Sequence, residues 1–223
     1  MGSHSYSLPR RVTREVHAGT VVIGGGRAPV IQSMCACRTT AVAAAVKQIE
    51  DLRAAGAELV RLAVDTRADI EALVEIRRRT AAPLAVDLQE AYRWAEELAP
   101  LVQKIRYNPG YLARRDDGSS MAQKVEFLAG CARRHGCALR VGINFGSLSG
   151  DPCGADVDRA LETAREQVRH LEELDFQNYV VSLKSSDPGR VVEANRRFAA
   201  EFPSVPLHLG VTEAGLLPAA ELK

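Results

Sequence analysis

The chain has 223 residues, of which 46% are hydrophobic and 26% charged, with a formal net charge of +1. Such a length and composition suit one packed globular domain, and the near-neutral balance excludes the broad basic field that draws a protein onto nucleic acid or an anionic membrane. No apolar run approaches the roughly 20 residues that span a bilayer and the N-terminus lacks the apolar core of a signal peptide, so a cytoplasmic protein without a membrane partner is expected.

The first ten residues are read as an N-terminal extension or cloning remnant, and 11–223 as a single barrel domain. Thr13 to Gly26 alternates Val16, Ala18, Val21 and Ile23 around Ala18-Gly19-Thr20, which predicts a β-hairpin closing the floor of a barrel. Gly24-Gly25-Gly26 lacks the Lys-Ser/Thr that follows in a phosphate loop and reads as a turn. Short apolar segments then alternate with amphipathic ones, the pattern of repeated βα units around a parallel sheet.

Strands are predicted at Val30 to Met34, Leu59 to Val64, Leu84 to Leu88, Lys104 to Asn108, Leu139 to Asn144, Tyr179 to Lys184 and Leu207 to Val211. Between them, Val42, Val46 and Ile49 share a helix face, and so do Val157, Leu161, Ala164, Val168 and Leu171. Ser120 with Gln123 predicts a capping box, Asp187 before Pro188 an N-cap, and Gly56 and Gly136 helix ends. A last helix is expected after Gly215, and no eighth strand is read before Lys223. The fold class is α/β: a (β/α)8 TIM-type barrel truncated after its seventh strand, with an N-terminal β-hairpin.

Side chains two apart on a strand share a face. Arg106 with Asn108, Arg140 with Gly142 and Asn144, Ser182 with Lys184 and Ser186, and His208 with Gly210 and Thr212 therefore share the lumen, while Ile105, Val141, Ile143, Val181 and Leu183 face the helices. Arg61 adds a further cation, against only Asp87 and Glu213 as counter-charges. Buried cations cost several kcal/mol each unless paired, so the excess calls for a small, multiply anionic ligand such as a diphosphate. The Asn144 to Gly150 loop offers N–H groups and hydroxyls for the same oxygens.

A single strand Arg is more often part of a structural ion pair; four on matching parity reverse that reading. Three residues stay open between roles: His208 as core histidine or catalyst, Asp87 as orienter of an Arg or ligand contact, Glu213 as acid–base group or helix cap. Lys184, on a sixth strand among cations, also suits a Schiff-base nucleophile of a barrel lyase, and a non-catalytic diphosphate-binding chain is a further alternative. The five cysteines, Cys35, Cys37, Cys131, Cys137 and Cys153, lack C-x-x-C spacing and imply neither a disulfide framework nor a zinc site. Cys35 and Cys37 are expected to line a strand end without chemistry, and Tyr92 and Trp94 to pack on a helix face.

Several strings together resemble one family: Val30-Ile31-Gln32-Ser33-Met34 with Arg38-Thr39-Thr40, Val60-Arg61, Lys104-Ile105-Arg106-Tyr107-Asn108-Pro109-Gly110, Arg140-Val141-Gly142-Ile143-Asn144 with Gly146-Ser147-Leu148, Ser182-Leu183-Lys184-Ser185-Ser186-Asp187, and Leu207 to Gly215. They resemble the 4-hydroxy-3-methylbut-2-enyl diphosphate synthase, or GcpE, family. The resemblance implies a (β/α)8 barrel that binds 2-C-methyl-D-erythritol 2,4-cyclodiphosphate in the non-mevalonate (MEP) isoprenoid pathway, an oxidoreductase that opens the ring and removes water with two electrons from a [4Fe–4S] cluster. By motif, Arg61, Arg106, Arg140 and Lys184 would hold the diphosphate with Asn108, Asn144, Ser147, Ser182 and Thr212, while Asp87, His208 and Glu213 would be the catalytic candidates in the same pocket. The resemblance implies that the cluster ligands lie in a separate C-terminal iron–sulfur domain, which is not expected within these residues, so no metal ligand is assigned here. A flavodoxin or ferredoxin electron donor and a homodimer are implied as partners. Two positions depart from the family pattern: Gln89 stands where the family has a histidine, and Tyr111 follows the Asn-Pro-Gly turn where the family has asparagine.

Overall fold

The structure is a computed structural model that describes residues 11–88, 91–114, 117–148 and 157–212. The hairpin comes first: β1 (Glu15–Ala18) pairs antiparallel with β2 (Val21–Gly24), Ala18 opposite Val21, so the turn is Gly19-Thr20 as predicted. Its alternation gives one apolar face. Val16, Ala18 and Val21 bury against Ala138 and Val180, which lie at the N-terminal ends of two sheet strands, so the hairpin covers the floor.

Six parallel strands follow in sequential order: β3 (Gln32–Met34), β4 (Leu59–Val64), β5 (Leu84–Leu88), β6 (Lys104–Tyr107), β7 (Ala138–Asn144) and β8 (Tyr179–Lys184). Helices α1 (Val42–Ala54), α2 (Arg67–Arg79), α3 (Ala95–Leu98), α4 (Pro109–Arg114), α5 (Met121–His135), α6 (Val157–Glu173) and α7 (Pro188–Glu201) make the crossovers. Val60, Leu62, Val86, Ile105, Val141, Ile143, Val181 and Leu183 join the helix faces in one core, as strand parity requires.

Local signals act where the sequence places them. Ser120 and Gln123 form the capping box of α5, Gly136 closes that helix in the left-handed region, and Asp187 Oδ1 accepts from Gly189 N (2.7 Å) ahead of α7. Tyr92 is buried edge-on against Phe127, with its hydroxyl donating to Asp117 (2.9 Å).

The strand ranges differ from expectation in four places, the smallest being β7, which starts one residue early at Ala138. β3 begins two residues late, because Ile31 N donates to the Glu58 carboxylate (3.1 Å) instead of entering the ladder. β6 stops at Tyr107, since Asn108 caps α4, which opens at Pro109, rather than extending the strand. The segment predicted as a seventh barrel strand pairs with β8 only through the bridge Val181 to Leu207. His208 N donates to Val181 O (2.8 Å), but Pro206 has no N–H to give, and the next backbone bond to that segment is Thr212 N to Ser185 O (3.2 Å). Among the described residues the sheet is thus a curled partial barrel whose edges are β3 and the 207–212 segment. The expected helix after Gly215 lies outside the described residues.

Candidate functional site

The C-terminal ends of the parallel strands gather Arg61 (β4), Asp87 (β5), Arg106 (β6), Arg140, Gly142 and Asn144 (β7), Ser182 and Lys184 (β8), and Thr212 around a cavity of about 300 Å³. Residues from β4 and from the 207–212 segment can line one cavity only because the sheet curls. The volume suits a small ligand.

One carboxylate organises two of the cations. Asp87 Oδ1 accepts from Arg106 Nη1 (2.7 Å), and its Oδ2 lies 3.8 Å from Arg61 Nη1. Arg106 Nη2 also donates to Gly142 O (3.0 Å). A Cβ at position 142 would run into Arg106 Nε, and one at position 210 would stand 2.7 Å from Lys184 Nζ, so glycine at both positions leaves room for the cationic heads. Gly142→Ala is therefore expected to push the Arg106 guanidinium aside, with a cost of about 1–3 kcal/mol typical of overpacking. Affinity of the cavity for a multiply charged anion such as inorganic pyrophosphate should fall at least tenfold while the thermal melt stays cooperative, a pair of results that calorimetry and a melting curve would read.

Arg140 is only 2% exposed. Its Nη1 lies 2.8 Å from His208 Nε2, which fixes that nitrogen as the acceptor because a guanidinium can only donate. Burial, followed by the neighbouring Arg106 and Arg61, lowers the Arg140 pKa to about 9. Burial and then Arg140, Arg61 and Arg106 lower Lys184 to about 8. Arg106 Nε, Arg140 Nε and the Thr212 hydroxyl are buried without a hydrogen-bond partner. Unsatisfied donors in a field of excess positive charge need anionic oxygens.

Asn108 and Ser147 are not in the lining. Asn108 Nδ2 donates to Ser147 Oγ (2.9 Å), its Oδ1 accepts from Gly110 N (3.0 Å), and Ser147 Oγ is within 2.7 Å of Asn144 O. The pair ties α4 to the loop after β7, behind the cavity. His208 also lies outside the lining. Desolvation and then Arg140 and Lys104 hold its imidazole neutral far below the usual histidine range, so it orients Arg140 and is not a proton donor in this state. Ser182 does line the cavity, with its hydroxyl donating to Val141 O (3.3 Å). Glu213, Gln89, Ser149, Gly150 and Cys153 lie outside the described residues.

Two cavity-lining residues were not among the predicted site residues. Lys104, 2% exposed on β6, lines a second cavity of about 340 Å³ at the floor together with Gln32 and His208. Burial and then Arg140 and Arg61 push its pKa well down. Its signal was present, since it stands two residues before Arg106. Tyr111 reaches the mouth from α4, where strand parity says nothing. A larger groove among the described residues, between α6 and α7 on the outer surface, carries charges of both signs, some paired as Arg165 is with Glu201 (2.7 Å), and offers no comparable excess.

Residues 13–223 match the family model described as the GcpE TIM-barrel domain. The chain is 46% identical over 223 residues to the 4-hydroxy-3-methylbut-2-en-1-yl diphosphate synthase (flavodoxin) of Rhodopirellula baltica, covering 97% of this chain and 58% of that protein. It is 39% identical to the enzyme of the same name from Chromohalobacter salexigens, covering 97% and 57%. The chain thus spans less than two thirds of these relatives. Among solved structures it is similar to 3-dehydroquinate dehydratase from Geobacillus kaustophilus (TM-score 0.61, 14% identity, 95% of this chain and 86% of that one). It is also similar to Yersinia pestis dihydropteroate synthase (TM-score 0.59, 13% identity, 87% and 77%). At such identities the likeness shows the barrel fold alone.

Proposed function

This chain belongs to the GcpE family, of which it carries the TIM-barrel domain, and from that premise we propose that its cationic mouth binds 2-C-methyl-D-erythritol 2,4-cyclodiphosphate for reductive ring opening and dehydration to 4-hydroxy-3-methylbut-2-enyl diphosphate. The observation that carries the reading is the charge imbalance of the cavity: Arg61, Arg106, Arg140 and Lys184 face one carboxylate, Asp87. A cyclic diphosphate supplies two negative charges and enough oxygens for the buried donors that lack partners.

The residues divide by what they touch. Arg61 and Arg106, held by Asp87, reach the cavity from β4 and β6, and Arg140 and Lys184 from β7 and β8, with Asn144, Ser182 and Thr212 in the same lining. Asn108 and Ser147 support the ligand indirectly by holding the loop. Fixing both phosphates presets the orientation of the ring, which removes entropy from the step that follows.

Ring opening consumes two electrons. The [4Fe–4S] cluster implied by the family needs thiolates converging on one centre, and among the described residues no group of three or more His, Cys, Asp or Glu side chains converges. The four described cysteines do not fit it. Our reading gives this chain the binding and orientation of substrate, with cluster ligation assigned to the part of the relatives' length it does not span, reduced flavodoxin as donor and a homodimer as the assembly. No described helix is long and apolar enough to cross a membrane.

Titration calorimetry with the cyclic diphosphate tests the reading. The chain is expected to bind one equivalent, and Arg106→Ala combined with Arg140→Ala to remove the heat. No binding by the folded chain, or binding indifferent to both substitutions, would sink it. The lowered pKa of Lys184 also suits a Schiff-base nucleophile; borohydride trapping that labels Lys184 with a carbonyl substrate would favour that lyase over the diphosphate reading.

A further inference from the structure

Cys35 and Cys37 line a strand end, as expected, in a turn with a defined geometry. β3 ends at Met34, Cys35 N donates to Arg61 O (2.9 Å), and the chain bends at Cys37. Gln48 Oε1, on α1, accepts from both Ala36 N (3.0 Å) and Cys37 N (3.2 Å), so one side chain holds the backbone of the Cys-Ala-Cys turn. Both cysteines line one cleft of about 460 Å³, with Arg38, Thr39, Asp65 and Thr66.

The two cysteines are separated by the single residue Ala36 and line the same cleft. Cα atoms two residues apart cannot be separated by more than about 7 Å, close to the upper end of the roughly 4.4–6.8 Å span of a disulfide. Cys35 is 5% exposed and Cys37 half-buried, so the pair has one inner and one accessible sulfur. Burial, then the adjacent Cys37, pushes the Cys35 thiol up to about 11.

We propose that Cys35 and Cys37 form a redox-active dithiol that exchanges with low-molecular-weight disulfides of the glutathione class and closes into an intrachain disulfide. Cys37, the accessible sulfur, attacks as the thiolate; the incoming S–S bond breaks, one glutathione leaves and takes up the proton Cys37 has lost. Cys35 then gives up its proton and attacks Cys37 Sγ, and the second glutathione leaves with that proton. The net change is one dithiol oxidised, one disulfide reduced, and no further oxidant is consumed. A ring closed across one intervening residue is strained, which sets the couple at the easily reduced end and makes closure reversible. The site is one residue from Met34, whose Sδ accepts from Arg61 Nε (3.3 Å), so it lies at the edge of the cationic mouth. Cys131 and Cys137 serve as internal controls: both are buried, Cys131 beside the Glu96 carboxylate (3.6 Å) and Cys137 against Ala138 O (3.5 Å).

The test is thiol mapping of the folded chain after incubation with excess oxidised glutathione, acid quench, alkylation and tryptic digestion. The peptide from Ala28 to Arg38 is expected to lose the mass of two hydrogens and resist alkylation, and to regain two alkylation sites after dithiothreitol. Cys35→Ser is expected to leave Cys37 carrying one glutathione, the trapped intermediate. Recovery of both cysteines as free thiols, or of glutathione on each without ring closure, would overturn the proposal.

Discussion

Replacing Arg140 with methionine is expected to weaken diphosphate binding about 10- to 100-fold while leaving the empty chain as stable as its parent or about 1 kcal/mol more stable. The two effects have one cause. Arg140 is buried beside Arg106 and Arg61, its Nε lacks a partner, and its pKa is lowered to about 9, all signs of a charge held where the empty protein does not favour it. Methionine matches the length of the aliphatic stem and keeps the packing. Exchanging poorly paired buried charge for an apolar side chain is often stabilising by about 1–4 kcal/mol. Against that stands the loss of a partner for His208 Nε2, which costs about 1 kcal/mol. With ligand present the balance inverts, because a charge-assisted hydrogen bond to phosphate is worth about 1.5–3 kcal/mol and each 1.4 kcal/mol is tenfold in affinity. Denaturant melts of the empty chain and calorimetry with the cyclic diphosphate read the two halves. A lower denaturation midpoint with unchanged affinity would make Arg140 a structural residue and empty the binding argument of its central cation.

How far this site can be read from sequence follows from what parity measures. On β4, β5 and β8 the predicted and observed strands coincide, because apolar runs there are bounded by clear turn signals. Parity then correctly puts Arg61, Arg106, Arg140 and Lys184 on one lumenal face. Parity gives a face but not a height. His208 has the right face, yet it lies below the mouth, on the same level as Lys104, and so it orients Arg140 instead of meeting the cavity. Asn108 fails for another reason: Pro109 cannot continue the ladder and opens α4, so the asparagine turns from strand residue to helix cap. Tyr111 belongs to a helix, beyond any strand rule. The Cys-Ala-Cys turn was visible as spacing, but only the bend and Gln48 bring its sulfurs to one cleft.

Affinity for the diphosphate is expected to fall as pH rises through about 8, whereas stability of the empty chain is expected to rise over the same range. Lys184 accounts for the onset of both, and Arg140, lowered to about 9, adds to both above that pH. Its pKa in the folded, empty chain is lowered from 10.5 to about 8 by burial and by Arg140, Arg61 and Arg106. Between these two values the unfolded chain binds the proton that the folded chain has released, so Lys184 makes the stability of the empty chain climb with pH across that window; below about 8 its destabilising contribution is fully present. A bound diphosphate reverses the local field and returns the proton to the amine. Binding above pH 8 must therefore take up a proton, and one proton of uptake weakens affinity about tenfold per pH unit. The phosphates of a cyclic diphosphate are strong acids and do not titrate in this range, so the slope belongs to the protein. Calorimetry in two buffers of different ionisation enthalpy at pH 9 should show the uptake, and Lys184→Met should remove that part of the slope while lowering affinity at pH 7. Affinity that is flat from pH 7 to 9.5, with no heat difference between buffers, would mean that Lys184 does not change its charge on binding in this range, and the proton-linked part of the argument would fall.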